Sequence, residues 1–346
     1  MLTNDFNYAY PDELVAQQPL AQRDASRMMI VDRKKHSTDH RSFSELPLFV
    51  GPGDCLVINN SRVIPARLFG TRSSGAPIEL LLAERTQGSD TTHEVWRCLT
   101  KKAKRVRVGE QFFFGKSAIA EAIGHEEGAL LVAFDRGHRA RAVERCGVPP
   151  LPPYIKRKDP NDYVADRERY QTIFAETSGS AAAPTAGLHF SEAMLAAVAT
   201  KGAHIAPITL HVGLDTFRPV MTEKIEDHHL HGEHFSIPEK TAEAIMKAKQ
   251  DGHRVIACGT TSVRALESAW RDGRLESGEE TTKLFITPGF SFQVVDALLT
   301  NFHQPKSTLL MMVSAFAGRE FILDCYAQAI REKYRLFSYG DCMLIL

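Results

Sequence analysis

The stretch RVIACGTTSVRALESAW, residues 254–270, decides the fold class of this chain. It opens with a short apolar run typical of a buried strand, is interrupted at Gly259, and continues as a helix after three hydroxyl residues. Other strand-like apolar runs occur at 28–33, 204–212, 283–287 and 308–316. Helical patterns fall between most of them, at 191–201, 238–250, 261–271 and 318–333. This alternation predicts an α/β core.

Residues 54–135 show a different sequence pattern, in which short β-like runs are separated by turns that contain Gly, Ser and Asp. Several short strands at this spacing predict a barrel or a sandwich. We therefore expect a mixed α/β domain built from both ends of the chain, 1–60 and 150–346, with a small β-barrel domain inserted at 61–149. The proline-rich PPLPPY at 149–154 is expected to be a stiff return linker.

The composition is that of an ordinary globular protein: 346 residues, 43% hydrophobic and 24% charged, with a formal net charge of zero. A bound polyanion would therefore need a local cluster of positive charge. The six cysteines lie far apart without a Cys-x-x-Cys motif, so we expect reduced thiols. The N-terminal segment does not resemble a signal peptide, and the longest apolar run is shorter than the roughly 20 residues that span a bilayer. These features predict a cytoplasmic protein without a membrane segment.

Several common cofactor motifs do not occur. FFFGKSA at 112–118 resembles a phosphate loop, but five residues instead of four separate Gly109 from the Gly115-Lys116-Ser117 triplet. A dinucleotide Gly-x-Gly-x-x-Gly motif and the cysteine triplet of an iron–sulfur cluster do not occur either. These observations disfavour nucleoside triphosphates, nicotinamides and radical chemistry.

The start of the helix after Gly259 is a candidate anion site. Hydroxyls of Thr260 and Thr261 and unpaired backbone N–H groups come together there, which suits a carboxylate. Arg264 lies in the first helical turn, where the helix dipole disfavours a cation, so we expect a local reason for its position. The alternative is ordinary capping with an ion pair between Arg264 and Glu267.

Histidines are concentrated in one part of the chain. Seven of the 14 lie between His189 and His234, including those of HHLHGEHF at 228–235. The spacing matches no zinc motif, so an acid–base site is favoured over a metal site. The small residues of APTAGLHF at 183–190 indicate either a close-fitting loop or a loop that wraps a ligand and offers it His189.

A basic run lies within TKKAKRVRVG at 100–109. It comprises Lys101, Lys102, Lys104, Arg105 and Arg107. On a neutral protein this local charge predicts contacts with a phosphate backbone, the alternative being a solvated hairpin.

Long motifs along the chain resemble one known family. Examples are PGDCLVINNSRVIPARLFG, RYQTIFAETSGSAAAPTAGLHF, HHLHGEHF, VIACGTTSVRALES, VVDALLTNFHQPKSTLLMMVSAFAG and YRLFSYGDCMLI. From residue 5 onwards the chain resembles the S-adenosylmethionine:tRNA ribosyltransferase-isomerases of queuosine biosynthesis. The resemblance implies an α/β domain with an inserted β-barrel.

The resemblance also implies a reaction. S-adenosylmethionine, a co-substrate and not a permanently bound cofactor, would give its ribosyl unit to 7-aminomethyl-7-deazaguanine at the tRNA wobble position. Isomerisation would yield epoxyqueuosine-tRNA and release adenine and methionine. We expect no metal and no membrane partner, tRNA recognised through its anticodon loop, and a monomer. The alternatives are a non-catalytic RNA-binding protein and a metal-dependent hydrolase.

Site residues follow from this chemistry. Acid–base roles are expected for His189, His211, His231 and Glu233, and S-adenosylmethionine contacts for Thr185, Gly187, Gly213, Gly259, Thr260, Thr261 and Arg264. The basic run would bind tRNA. An anticodon base could stack on Phe190, Phe217 or Phe235, for each of which core packing is the alternative.

Overall fold

The computed structural model describes residues 1–86, 92–116, 118–126, 128–213 and 219–346. The chain divides into two compact units. The first comprises Met1–Arg62, Pro153–Lys156 and Gln171–Leu346, and the second comprises Val63–Pro152 and Arg157–Tyr170. Residues 157–170 thus group with the insert, whereas the sequence placed them in the α/β domain. The domain boundaries drawn from the sequence stay a prediction.

Among the described residues the first ten strands precede the first α-helix, and α-helices and strands are interspersed from there onwards. The N-terminal part contains β1 (Arg27–Asp32), β2 (Ser37–Ser42), β3 (Cys55–Asn59) and β4 (Ser61–Val63). The second unit contains β5 (Arg67–Arg72), β6 (Pro77–Arg85), β7 (His93–Leu99), β8 (Gln111–Phe114), β9 (Ala118–Glu126), β10 (Ala129–Asp135), α1 (His138–Cys146), β11 (Gly147–Val148) and α2 (Val164–Arg169).

The C-terminal part returns to the first unit. It contains β12 (Thr177–Ser180), α3 (Glu192–Thr200), β13 (His204–Leu210), β14 (Glu233–Ile237), α4 (Glu239–Gln250), β15 (Val255–Cys258), α5 (Thr260–Ala269), β16 (Trp270–Arg271), β17 (Arg274–Leu275), β18 (Gly278–Thr282), β19 (Ala297–Asn301), α6 (Thr308–Ala317), α7 (Arg319–Arg331) and β20 (Cys342–Ile345). Short 3-10 helices include Phe43–Leu48 and Thr185–His189.

A large sheet forms the centre of the first unit. In the part of the chain that the structure describes it has nine strands, in the order β18-β14-β13-β3-β15-β19-β20-β1-β2. Strands β13, β3, β15 and β19 run parallel. Strand β20 is antiparallel to β19 and parallel to β1. Strand β3 comes before both of its neighbours in the sequence, so the connections diverge on either side of it. Open α/β sheets bind ligands at the carboxyl ends of strands near such a point.

The central strands are apolar because both faces of the sheet are covered. Every residue of β3 and β15 is buried. Within β3, Cys55 and Val57 belong to one apolar cluster, while Leu56 and Ile58 belong to another. Alternate side chains of a strand point to opposite faces, so two separate cores hold this sheet in place.

The second unit contains the predicted barrel. Among its described residues, strands β5, β6, β7, β10, β9 and β8 form a closed six-stranded ring, because β5 also pairs with β8. Its interior is filled by apolar side chains such as Leu68, Leu80, Phe112 and Val132, and Ala142 of α1 packs against them. The predicted fold class, a mixed α/β domain with a small β-barrel, is confirmed.

Two of the strand predictions made from the sequence are wrong. Residues 308–316 form helix α6, and 283–287 belong to no strand. Almost every residue of α6 is buried, so the helix has no polar face that would reveal its period. The sequence does not predict four further strands, each four or five residues long: β14, β18, β19 and β20.

The thiols agree with the expectation from the sequence. The six cysteines are free thiols. Within the described ranges, none of the helices has the length and apolar character that a bilayer crossing requires.

Candidate active site at the carboxyl edge of the parallel strands

A cleft opens where β15 and β19 end. It encloses about 580 Å³ of empty space, part of it open to solvent. It is lined by 183–186, 259–261 and 300–304, together with Tyr154, Val212, Ser307, Leu309, Phe337 and Ser338. The cleft lies at the edge of the sheet where a parallel α/β arrangement is expected to bind its ligand.

The strand-to-helix turn of the opening sequence forms one wall. Gly259 has a φ of +88°, which favours glycine, and α5 begins at the next residue. Thr260 and Thr261 are 6% and 7% exposed and line the cleft. Asn59 at the end of β3 donates from Nδ2 to Thr261 Oγ1 at 3.2 Å. The structure therefore places Gly259, Thr260 and Thr261 in the cleft.

A second helix also begins at this cleft. Ser307 lines it and accepts a hydrogen bond from the backbone N–H of Leu310 at 3.2 Å, which caps α6. Two helix N-termini, those of α5 and α6, thus border one space. The positive ends of both dipoles favour a negatively charged group there.

The small-residue loop contributes part of what the sequence predicted. Residues 183–186, including Thr185, line the cleft. Gly187 does not line it, and a Cβ at this position would lie 2.7 Å from Thr172 Cγ2 and 2.8 Å from Phe174 Cζ. Close packing against neighbouring side chains therefore accounts for Gly187.

His189 lies behind the cleft wall and not in the cleft. It is 4% exposed, its Nδ1 is 2.7 Å from Ser26 Oγ, and its Nε2 is 3.1 Å from Asn301 Nδ2. Burial, followed by the nearby charge of Arg335, lowers the pKa of His189 to about 4. The imidazole is neutral at pH 7 and both nitrogens are occupied, so His189 in this position is not available as a base for a ligand.

Glu233 and Arg264, which are not among the residues that line the cleft, form a buried ion pair. Their side chains are 5% and 7% exposed, and Arg264 donates from Nη1 to Glu233 Oε2. Glu233 Oε1 accepts the backbone N–H of Gly213 at 2.7 Å. Glu233 is therefore engaged on both oxygens.

The alternative expectation of an Arg264–Glu267 ion pair is wrong. Glu267 instead accepts the backbone N–H groups of Gln293, Val294 and Val295 at 2.9 to 3.1 Å. The i, i+3 spacing would allow an ion pair between Arg264 and Glu267, but the Glu267 carboxylate is hydrogen-bonded to three backbone N–H groups of a following loop.

Arg264 keeps one donor free. Its Nε donates to Leu284 O at 3.1 Å, and Nη2 is buried with no partner among the described residues. Arg264 lines a small, mostly apolar cavity of about 290 Å³ with Leu230, Leu284, Phe285, Ile286, Thr308, Leu309 and Met312. Leu309 also lines the main cleft, so the two spaces adjoin along α6.

His211 follows the last residue of β13 and precedes Val212 of the cleft. Its Nδ1 is buried and finds no partner among the described residues. Burial, followed by the neighbouring His234, lowers the pKa of His211, which keeps the ring neutral. A Cβ on Gly179 would lie 2.8 Å from His211 Cε1, so this glycine provides the room that the imidazole needs.

The remaining predicted residues lie at the surface or in the core. His231 is exposed, as are all five cations of the basic run. That run forms a turn around Ala103–Arg105 in the second unit, held by the buried Ala103 and Val106. Phe190 and Phe235 are 0% and 1% exposed, so core packing explains both. Phe217 lies outside the described residues.

The sequence assigns no role to Asn301 or His303, two polar residues of the cleft, although their segment belongs to the motifs that carry the family resemblance. Asn301 ends β19, and His303 lies in the loop that leads to α6. The Nε2 atom of His303 is 2.8 Å from Thr300 Oγ1, and burial lowers the pKa of His303 to about 3. Their signal was the polar segment TNFHQ between two apolar runs.

The described ranges contain no group of three or more His, Cys, Asp or Glu side chains placed to hold a metal ion. Among its described lining residues the cleft offers hydroxyl groups, two helix N-termini and the neutral imidazole of His303 beside apolar walls. This arrangement suits an uncharged ring system carrying an anionic group.

Comparison with known proteins agrees with this description. Residues 3–345 match the family model described as queuosine biosynthesis protein. The chain belongs to this family. It is 49% identical over 349 residues to the S-adenosylmethionine:tRNA ribosyltransferase-isomerase of Syntrophotalea carbinolica, with 100% of both chains covered. It is 48% identical to the enzyme of the same name from Natranaerobius thermophilus, over 100% of this chain and 99% of that protein.

A solved structure is similar as well. The crystal structure of S-adenosylmethionine tRNA ribosyltransferase from Thermotoga maritima is 34% identical in sequence, with a TM-score of 0.57 over 99% of this chain and 100% of that chain. The family resemblance predicted from the sequence, and with it an enzyme that is both a transferase and an isomerase, is confirmed.

Proposed function

We propose that the protein transfers the ribosyl unit of S-adenosylmethionine to 7-aminomethyl-7-deazaguanine at the wobble position of tRNA and isomerises it to epoxyqueuosine. Similarity to enzymes named S-adenosylmethionine:tRNA ribosyltransferase-isomerase over the whole chain carries this proposal. The cleft supports it, because it has apolar walls for a nucleoside and two helix N-termini for a carboxylate.

The methionine carboxylate is proposed to bind at the start of α5, against Thr260 and Thr261. Both residues line the cleft, and the helix dipole favours an anion at that end. The unpartnered Nη2 of Arg264, in the adjoining cavity, is a further donor for this group. Thr185 and Gly259 also line the cleft and are proposed to contact the same co-substrate.

The reaction needs three proton transfers. The C5′ proton of the ribose is acidified by the sulfonium but requires a base, adenine leaves more easily once protonated, and an alkylamine with a free pKa of about 10 must lose a proton before it attacks. His211 is the best-placed base of the predicted set, because its ring is neutral and its Nδ1 has no partner among the described residues. His231, which is exposed, is a second candidate.

Glu233 and His189 are proposed to act indirectly. Glu233 holds Arg264 and the backbone of Gly213, and His189 supports the cleft from behind. We propose that the basic run contacts the tRNA backbone, since five exposed cations lie within seven residues. We further propose that the protein is a monomer, that it is cytoplasmic and that its reaction needs no metal.

The decisive experiment measures free adenine released from S-adenosylmethionine. Release should require tRNA that carries 7-aminomethyl-7-deazaguanine, and unmodified tRNA is the matched control. A protein that only binds RNA would bind both tRNAs and release no adenine. A metal-dependent hydrolase would lose its activity in a chelator and regain it with zinc, whereas the proposed transferase should be insensitive to both.

A further inference from the structure

Asn301 is a buried amide at the wall of the cleft. It is the last residue of β19, it is 2% exposed, and it lines the cleft between Thr300 and Phe302. Side chains at the carboxyl ends of parallel strands are those that meet a ligand in an α/β sheet. None of the expected site residues included it.

The orientation of this amide is fixed by backbone carbonyls. Asn301 Nδ2 lies 3.1 Å from Phe337 O and 3.4 Å from Asp341 O. Turning the amide over would bring Oδ1 against these two carbonyl oxygens and leave no donor between them. The NH₂ group is therefore held by the backbone carbonyls, and Oδ1 is the polar atom of this cleft-lining side chain that these contacts leave without a partner.

His189 and Ser26 strengthen this orientation. Asn301 Nδ2 is also 3.1 Å from His189 Nε2, which must accept, so the ring proton is on Nδ1 and is donated to Ser26 Oγ at 2.7 Å. Burial lowers the pKa of His189 to about 4, so Nε2 keeps its lone pair at pH 7. Ser26, His189 and Asn301 form a chain of hydrogen bonds that ends at the cleft.

The Oδ1 atom of Asn301 is buried and has no donor among the described residues. Buried acceptors without a partner are rare in native proteins, because each has lost its hydrogen bonds to water. An amide held so firmly on one side and left without a partner on the other is suited to a ligand that brings an N–H or O–H group.

The surroundings restrict that ligand group. The described residues that flank Asn301 in the cleft, Thr300 and Phe302, carry no charge, so the group that meets Oδ1 is expected to be an uncharged donor. The walls beside Asn301 include Phe302 and Phe337, which suit a flat, uncharged ring system. An uncharged donor of a nucleoside fits both conditions.

We propose that Asn301 Oδ1 accepts a hydrogen bond from the adenosine part of S-adenosylmethionine, with Ser26 and His189 as positioning residues. The donor is either the exocyclic amine of adenine or a ribose hydroxyl. This inference rests on the proposed function, since it takes S-adenosylmethionine as the occupant of the cleft.

The experiment measures binding by calorimetry without tRNA, so that no transfer takes place. The probes are S-adenosylmethionine and three analogues, which lack the adenine amine, the 2′-hydroxyl or the 3′-hydroxyl. With the wild-type protein one analogue should bind about 10- to 100-fold more weakly than the parent, which identifies the donor. Asn301→Ala should bind the parent and that analogue equally. Equal binding of all four probes by the wild type, or unchanged discrimination in Asn301→Ala, would overturn the proposal.

A second pair of variants tests the positioning residues. Ser26→Ala and His189→Gln should reduce the ratio of affinities between the parent and the critical analogue, although Asn301 is still present. A merely structural role would lower stability without changing this ratio, since both ligands are measured on the same folded protein. His204→Gln, which alters an exposed histidine, is the matched control. If Asn301→Ala does not fold, the wild-type analogue series and these two variants decide the question.

This result is separable from the function itself. Adenine release by a wild type that shows no discrimination would defeat only the role of Asn301. Discrimination without adenine release would leave the binding role intact and defeat the transferase. Failure to bind S-adenosylmethionine at all would overturn both.

Discussion

Removing the carboxylate of Glu233 should destabilise the protein more than any surface change. Its two oxygens accept hydrogen bonds from Arg264 and from the Gly213 N–H, and both charged side chains are more than nine-tenths buried. Losing one partner of such a pair leaves a buried guanidinium without its counter-charge, which costs about 3–5 kcal/mol. Because a folded domain is stable by only about 5–15 kcal/mol, Glu233→Ala should lose a large part of the total. Urea denaturation followed by circular dichroism measures this loss.

A double variant tests the cause. Glu233→Gln with Arg264→Met removes both charges and keeps the shape, so it should recover most of the lost stability. The same double variant should bind S-adenosylmethionine more weakly, by about 1.5–3 kcal/mol, if Arg264 Nη2 contacts the carboxylate. Asp251→Asn, in an exposed pair with Lys247, is the control and should leave the urea midpoint unchanged. An unaltered unfolding free energy in Glu233→Ala, together with lost adenine release, would refute the reasoning and make Glu233 an acid–base group.

Three further predictions follow from burial, charge and space. Burial lowers the pKa of His189 to about 4 and that of His303 to about 3, so the unfolded chain binds protons first on acidification. Each histidine should therefore reduce the free energy of unfolding by about 2 kcal/mol between pH 7 and pH 5. Urea denaturation at several pH values measures this, and the unfolding free energy of His303→Gln should fall less steeply with decreasing pH than that of the wild type. Neutralising the basic run should reduce the slope of log tRNA affinity against log salt concentration by about 0.7 per lost single-strand contact. The affinity for S-adenosylmethionine should stay constant. An unchanged slope would mean that this segment is a solvated hairpin that does not contact tRNA. Gly179→Ala should displace His211, because its Cβ would lie 2.8 Å from the ring, and should lower adenine release. Gly273→Ala, also at positive φ but with open space around it, is the control, and equal activities would count against His211.

Local patterns were sufficient for the fold class and for the first turn of α5. A strand, a glycine and three hydroxyl residues describe the geometry around Gly259 without knowledge of any other segment. The fully buried α6 was read as a strand because burial on all sides removes the periodicity that distinguishes a helix.

Pairings between distant segments could not be read from the sequence. The alternative that the sequence offers for Arg264 is an ion pair with Glu267, three residues away, but its partner Glu233 is 31 positions distant. His189 was expected to face a ligand, but Asn301, 112 positions away, covers one of its nitrogens. Such contacts depend on which strands end side by side, and periodicity carries no information on strand order.

The position of β20 has a consequence for how the chain folds during synthesis. This strand lies between β19 and β1, and Arg27 donates its backbone N–H to Asp341 across a separation of 314 residues. The β1–β2 hairpin therefore has no inner neighbour until the ribosome has released Cys342–Ile345. Pairing between such distant segments is slow, because the chain loses entropy on closing the loop before stabilising contacts can form. While translation proceeds, Met28–Val31 form an unpaired apolar strand edge, and such edges are prone to pair with other chains.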